Sequence, residues 1–179
     1  KFYCEKNNLI FLSSPFSVKA AKILKSIGLN FWKIGSGEFF SEDLINYLIK
    51  LNDTIILSTG MSTISEINDL IKILKKKKIK FILMQCTSLY PSTLSDIGIN
   101  VLDKFKKKFN CFYGLSDHSG SIYPSIYALC AGSKLIEVHF KSNNSKLNPD
   151  KDSSLDLGQI KELCKARDQI HHLNKYPVN

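Results

Sequence analysis

Gly114-Leu115-Ser116-Asp117-His118 and Glu137-Val138-His139-Phe140 are the stretches that decide the fold. Each closes a short apolar run with a histidine, and the two histidines lie 21 residues apart, about one strand-plus-helix repeat. The same rhythm runs along the chain. Short apolar runs begin near residues 9, 31, 54, 81, 112 and 135, and amphipathic stretches follow them. Apolar strands alternating with helices mean a parallel sheet covered by helices.

Several helix ends are legible. Ser17 caps a helix with Val18, Ala21 and Leu24 on one face, and Gly28 ends it. A helix from Ser41 buries Leu44, Ile45, Leu48 and Ile49. Thr63 and Glu66 have capping-box spacing, and Asp156 and Gln159 cap a last helix that carries Ile160, Leu163 and Ile170 inward. Residues 1–8 read as the tail of a helix, and residues 141–154 as a polar loop.

An open doubly wound sheet and a (β/α) barrel both satisfy the alternation. The groups at the strand ends favour the barrel: Ser14, Ser36, Ser58, Thr87 with Ser88, Ser116 with His118, and His139. A barrel gathers all its strand C-termini round one mouth, whereas an open sheet scatters some of them. An eight-unit TIM barrel takes about 250 residues, and six units are counted here. The expectation is therefore a partial (β/α)8 barrel over residues 1–179 with its first two units missing, its sheet edges in need of cover.

Composition narrows the function classes. Hydrophobic residues make up 44% of 179 residues, enough for a real core. No apolar run approaches a membrane span and none has a signal-peptide pattern, so no membrane partner is expected and the cytoplasm is the expected compartment. Five widely spaced cysteines suit reduced thiols rather than a disulfide framework. The net charge of +9 comes from dispersed lysines and from runs at 75–78 and 106–108, near helix C-termini. Without aromatic residues interleaved in a basic stripe, no nucleic acid is expected. The basic surface still favours an anionic substrate.

Three groups carry the chemistry. Adjacent parallel strands lie about 4.8 Å apart, so His118 and His139 at consecutive strand ends are placed to share a metal. Two protein nitrogens leave positions for water and substrate, which suits Mn2+, Mg2+ or Zn2+ as a Lewis acid. Lys33 precedes the turn Gly35-Ser36-Gly37-Glu38 and supplies a point charge for a carboxylate or phosphate. Glu38 is an acid/base or hydroxyl-binding candidate. Ser14, Ser36, Ser58, Ser88 and Ser116, with Tyr90, offer a ring of neutral donors for an anion. His171 and His172 fall on the polar side of the last helix.

Five motifs then fall in order: Lys33-Ile34-Gly35-Ser36-Gly37-Glu38, Leu57-Ser58-Thr59-Gly60-Met61, Cys86-Thr87-Ser88-Leu89-Tyr90-Pro91, Gly114-Leu115-Ser116-Asp117-His118 and Val138-His139-Phe140. Together they resemble the N-acetylneuraminate (sialic acid) synthase family, which includes legionaminate and pseudaminate synthases. The resemblance implies a (β/α)8 barrel followed by an antifreeze-like domain, absent here, in a domain-swapped homodimer. It implies condensation of phosphoenolpyruvate with an N-acetylated amino sugar, releasing phosphate. His118 and His139 would then be ligands of Mn2+ or Mg2+. Ser14, Lys33, Ser36, Ser58, Ser88, Tyr90 and Ser116 would line the phosphoenolpyruvate site, with Lys33 and Glu38 catalytic, and Glu38 and Asp150 would contact the sugar. The chain departs from the family pattern at Ser14, Ser88, Val138 and Asn148. A non-catalytic barrel module that binds a ligand or a partner is the alternative.

Overall fold

The structure is a computed structural model, and it describes residues 1–142 and 149–176. Two compact units divide the chain, Lys1–Leu83 and Met84–Asn179.

The first unit carries helices α1 (Phe2–Lys6) and α2 (Val18–Ser26), strand β1 (Phe31–Ile34), helix α3 (Glu42–Leu51), strand β2 (Thr54–Ser58) and helix α4 (Ile64–Lys76). Strand β3 (Phe81–Cys86) begins in it and ends in the second unit. The expected caps are present: Ser17 Oγ accepts from the Ala20 amide, and Thr63 and Glu66 form a full capping box. Helix α3 buries Leu44, Ile45 and Leu48, while Ile49 stays half-buried. Strands β1 and β2 pair in parallel with Lys33 opposite Ile56. Trp32, Ile34, Ile55 and Leu57 are fully buried, as strands covered by helices require.

Residues 9–13, expected as the first strand, lie outside the sheet. Leu9 is 58% and Ile10 86% exposed while Phe11 is half-buried, so this apolar run is not the buried strand its residues suggest. A strand needs a neighbour for its backbone groups, and β1 pairs with β2. Ser14 is accordingly not at a strand end; it precedes buried Pro15 in an irregular segment.

The second unit adds α5 (Val101–Phe109), β4 (Phe112–Asp117), α6 (Tyr123–Cys130), β5 (Leu135–Phe140), β6 (Ser154–Leu155) and α7 (Leu157–Lys175). Within this unit strand order follows chain order from β4 to β6. Strands β4 and β5 pair in parallel, as do β5 and β6. The two-residue β6 falls within the expected polar loop, whose residues 143–148, Asn148 among them, lie outside the described residues. Asp156 and Gln159 make the expected capping box on α7. Gly114 is required by the sheet: a Cβ there would stand 2.1 Å from the Leu135 carbonyl oxygen and 2.7 Å from Met84 Sδ.

Side-chain alternation sorts the second unit's strands. Ile136 and Val138 pack with Ile122, Leu129, Leu155 and Leu163 from α6, β6 and α7. The period of two then puts Glu137 and His139 on the opposite face of β5. On β4, Asp117 bonds Ser125 of α6, so Gly114, Ser116 and His118 share the face away from that helix.

Candidate functional site

In the second unit, the alternation just described brings His118 and His139 together. Their ring centres are 5.1 Å apart with planes at 86°. Tyr90 stacks on His118 at 4.2 Å and meets His139 edge-on at 5.6 Å. His118 is buried, and its Nδ1 lies 2.8 Å from the Thr87 carbonyl oxygen. That contact fixes Nδ1 as the donor and leaves Nε2 with the lone pair. His139 Nδ1 stands 3.4 Å from Asp150 Oδ2. Asp150 is set there by a short 3-10 turn, Lys151–Ser153, and its carbonyl accepts from Ser154 Oγ at 2.6 Å. The pairing of His139 with Ser154 in the β5–β6 register holds that turn beside the histidine.

The donor set fits a divalent metal. A metal about 2.1 Å from an imidazole nitrogen sits about 3.3 Å from that ring's centre, so two ligating rings have centres within about 6.6 Å. The observed 5.1 Å meets this. A carbonyl behind one imidazole and a carboxylate near the other is the outer arrangement that orients metal-binding histidines. Burial lowers the proton affinity of His118 below the ordinary imidazole value of 6.5, which keeps it in the ligating form. No three His, Cys, Asp or Glu side chains among the described residues gather as a ligand set. The two imidazoles are the candidate ligands this geometry brings together.

Asp117 is the neighbour whose part the sequence did not reveal. Its Oδ1 accepts from the Ser119 amide at 2.9 Å, and its Oδ2 lies 3.5 Å from Ser125 Oγ. It thereby ties the chain after His118 to α6. Burial raises the pKa of Asp117 against these bonds, and burial also raises that of Tyr90. Ser116 is buried on the face it shares with His118, and Ser88 is half-buried just past β3.

The first unit groups Lys33, Ser36 and Ser58. Lys33 is only 8% exposed. The β1–β2 register puts it on the face of Ile56 and hence of Ser58, two residues on. Ser36 Oγ accepts from the Gly60 amide at 3.0 Å, joining the turns that follow β1 and β2. Ser58 is 1% exposed, and its Oγ has no hydrogen-bond partner among the described residues. A Cβ added at Gly35 or Gly37 would meet nothing within 4 Å, so open space adjoins the backbone of this turn. Glu38 behaves differently: it accepts from Ser41 Oγ and lines a cleft of about 610 Å3 with Phe16, Ser17 and Lys19.

The NeuB family model matches residues 1–177. The chain belongs to the NeuB family. It is 34% identical over 171 residues to N,N'-diacetyllegionaminic acid synthase of Campylobacter jejuni, which covers 94% of this chain and 51% of that relative. It is 36% identical over 163 residues to pseudaminic acid synthase of Helicobacter pylori, covering 90% of the chain and 48% of the relative. The chain thus spans about half the length of the curated relatives it matches. Among solved structures it is similar to an N-acetylneuraminic acid (sialic acid) synthetase from Leptospira borgpetersenii, in complex with citrate. That match has a TM-score of 0.91 and 29% identity, covering 97% of this chain and 61% of the other. No helix among the described residues is long and apolar enough to cross a membrane.

Proposed function

We propose that this chain carries part of the catalytic barrel of a nonulosonic acid synthase. The reaction joins phosphoenolpyruvate to an N-acetylated amino sugar such as N-acetylmannosamine and releases phosphate. C3 of phosphoenolpyruvate bonds to the aldehyde carbon, water adds at C2, and the C–O bond to phosphate breaks. The observation that carries this reading is the His118–His139 pair, 5.1 Å apart with Nδ1 atoms facing a carbonyl and a carboxylate, in a NeuB family member.

Bound Mn2+ or Mg2+ supplies Lewis acidity toward the sugar's carbonyl oxygen. The chain's own residues bind and orient. Thr87 holds the His118 ring through Nδ1, and Asp150 does the same for His139. Lys33, buried in β1, gives phosphoenolpyruvate a positive charge in a weakly screening setting. Ser36 and Ser58, with the open turn at Gly35 and Gly37, donate to its anionic oxygens, and Ser14, Ser88, Tyr90 and Ser116 are assigned to the same ligand. Glu38 and Asp150 take sugar hydroxyls. In the full-length protein these residues belong to a (β/α)8 barrel followed by an antifreeze-like domain, working as a cytoplasmic homodimer.

The test is phosphate release and keto-acid formation by the full-length protein with phosphoenolpyruvate, Mn2+ or Mg2+, and N-acetylmannosamine or related N-acetylated amino sugars. Product with one of them is expected. Absence of product with all of them, in protein that binds the metal, overturns the reading.

A further inference from the structure

The second unit holds another cavity, on the face of β5 opposite His139. Helices follow β3 and β4, whereas the described part of the β5–β6 connection holds only the 3-10 turn Lys151–Ser153. Along the outer face of β5, between α6 and α7, lies a cleft of about 650 Å3. That size falls within the roughly 300–1,000 Å3 of small-molecule sites.

Its lining has two characters. Leu129, Ile136, Val138 and Leu163 make an apolar wall. Ser133 stands at the start of β5, only 7% exposed, and its Oγ has no hydrogen-bond partner among the described residues. A buried hydroxyl without a partner is uncommon in a native fold, because its desolvation goes uncompensated. Lys134 and Arg167 stand at the same cleft, with Asp168 bonded to Arg167 at 2.7 and 2.8 Å. Two cations and one carboxylate leave one net positive charge at the rim, matched to a monoanion.

We propose that this cleft binds a small monocarboxylate with an apolar tail. Ser133 Oγ, buried out of reach of the cleft in the structure, turns to donate to the carboxylate, which lies in the field of Lys134, and the tail covers Leu129, Ile136 and Val138. The site does not depend on the synthase reading, because none of its residues is assigned to that chemistry. Val138 lines the cleft, and the alternation of β5 turns its neighbour His139 to the other face.

The experiment uses octanoate with the full chain and reads alkylation by N-ethylmaleimide, resolved by mass spectrometry. Cys164 lines the cleft and is exposed, while Cys130 is exposed on α6 outside the lining and serves as the internal control. Octanoate is expected to slow Cys164 and leave Cys130 unchanged. Octan-1-ol, without the charge, should need about ten-fold more, and Ser133→Ala should weaken the octanoate effect about three- to ten-fold. Equal slowing of both cysteines, no slowing of Cys164 at saturating octanoate, or equal potency of octanoate and octanol overturns the proposal. The last comparison needs only the unmodified chain, so it stands even if Ser133→Ala fails to fold.

Discussion

His118 and His139 face one another with ring centres 5.1 Å apart and planes nearly perpendicular. They stem from neighbouring parallel strands and from the strand faces turned away from α6 and α7. In this arrangement neither imidazole replaces the other. His118→Ala and His139→Ala are each expected to weaken Mn2+ binding by more than about ten-fold, since even outer partners of metal ligands are worth 10–100-fold. Titration of metal-stripped protein followed by electron paramagnetic resonance measures this, with circular dichroism to verify the fold. Unchanged Mn2+ affinity in both variants refutes the assignment.

The same burial gives His118 a signature in pH. Burial disfavours its imidazolium, so the folded chain takes up that proton below the ordinary value of 6.5. Between the lowered value and 6.5, the unfolded chain binds the proton and the folded chain does not. Stability therefore falls as pH drops through this window and is regained as pH rises through it. Denaturant unfolding of metal-free protein between about pH 5 and 7 should show this slope, and His118→Gln should lessen it. An identical slope in the variant excludes His118 as its source.

The sequence carried much of this fold because apolar runs and capping pairs are local signals. Strand β1 and the caps at Ser17, Thr63 and Asp156 stand where the residues placed them. Residues 9–13 show the limit of that reading: an apolar run says nothing about whether a neighbouring strand is there to pair with it. Strand β6 was hidden for the opposite reason, since two residues carry no periodicity, yet its register sets Asp150 beside His139. The pairing of the histidines was legible from their spacing. The Thr87 carbonyl behind His118 was not, because every residue has a carbonyl and only the tertiary fold selects one. Asp117 was visible as a letter in its motif, but its partner Ser125 lies on a helix that no motif marks.

Gly114 offers a test of the strand packing beneath the histidine pair. A Cβ at this position would clash with the Leu135 carbonyl on β5, which belongs to the backbone and has little room to yield. Gly114→Ala is expected to cost about 3 kcal/mol, at the upper end of ordinary overpacking. Thermal unfolding measures it. A melting temperature equal to that of the parent chain contradicts the close approach of β4 and β5.

Asp53 anchors the first unit's core. Its Oδ2 accepts from the indole Nε1 of Trp32 at 3.0 Å and from Lys25 Nζ at 2.6 Å. Trp32 is fully buried, and removing its acceptor strands an indole N–H away from water. Asp53→Ala should lower stability by about 1–3 kcal/mol. Trp32 is the chain's single tryptophan, so its fluorescence reports the transition directly. A loss below about 0.5 kcal/mol places this bond among ordinary surface contacts.

Ser58 separates a binding role from a packing one. Its hydroxyl is buried and has no hydrogen-bond partner among the described residues, so in the folded chain it contributes desolvation without a compensating bond. Ser58→Ala removes that hydroxyl and leaves the backbone of β2 unchanged. Stability is therefore expected to stay level or rise by up to about 1 kcal/mol. If Ser58 donates to phosphoenolpyruvate, the same change should raise the KM for that substrate about ten-fold, the worth of a hydrogen bond to a charged acceptor. The KM for the amino sugar should stay as it was. Steady-state kinetics of the full-length protein, set beside its melting curve, decide the matter: a large loss of stability with an unchanged KM for phosphoenolpyruvate makes Ser58 a packing residue.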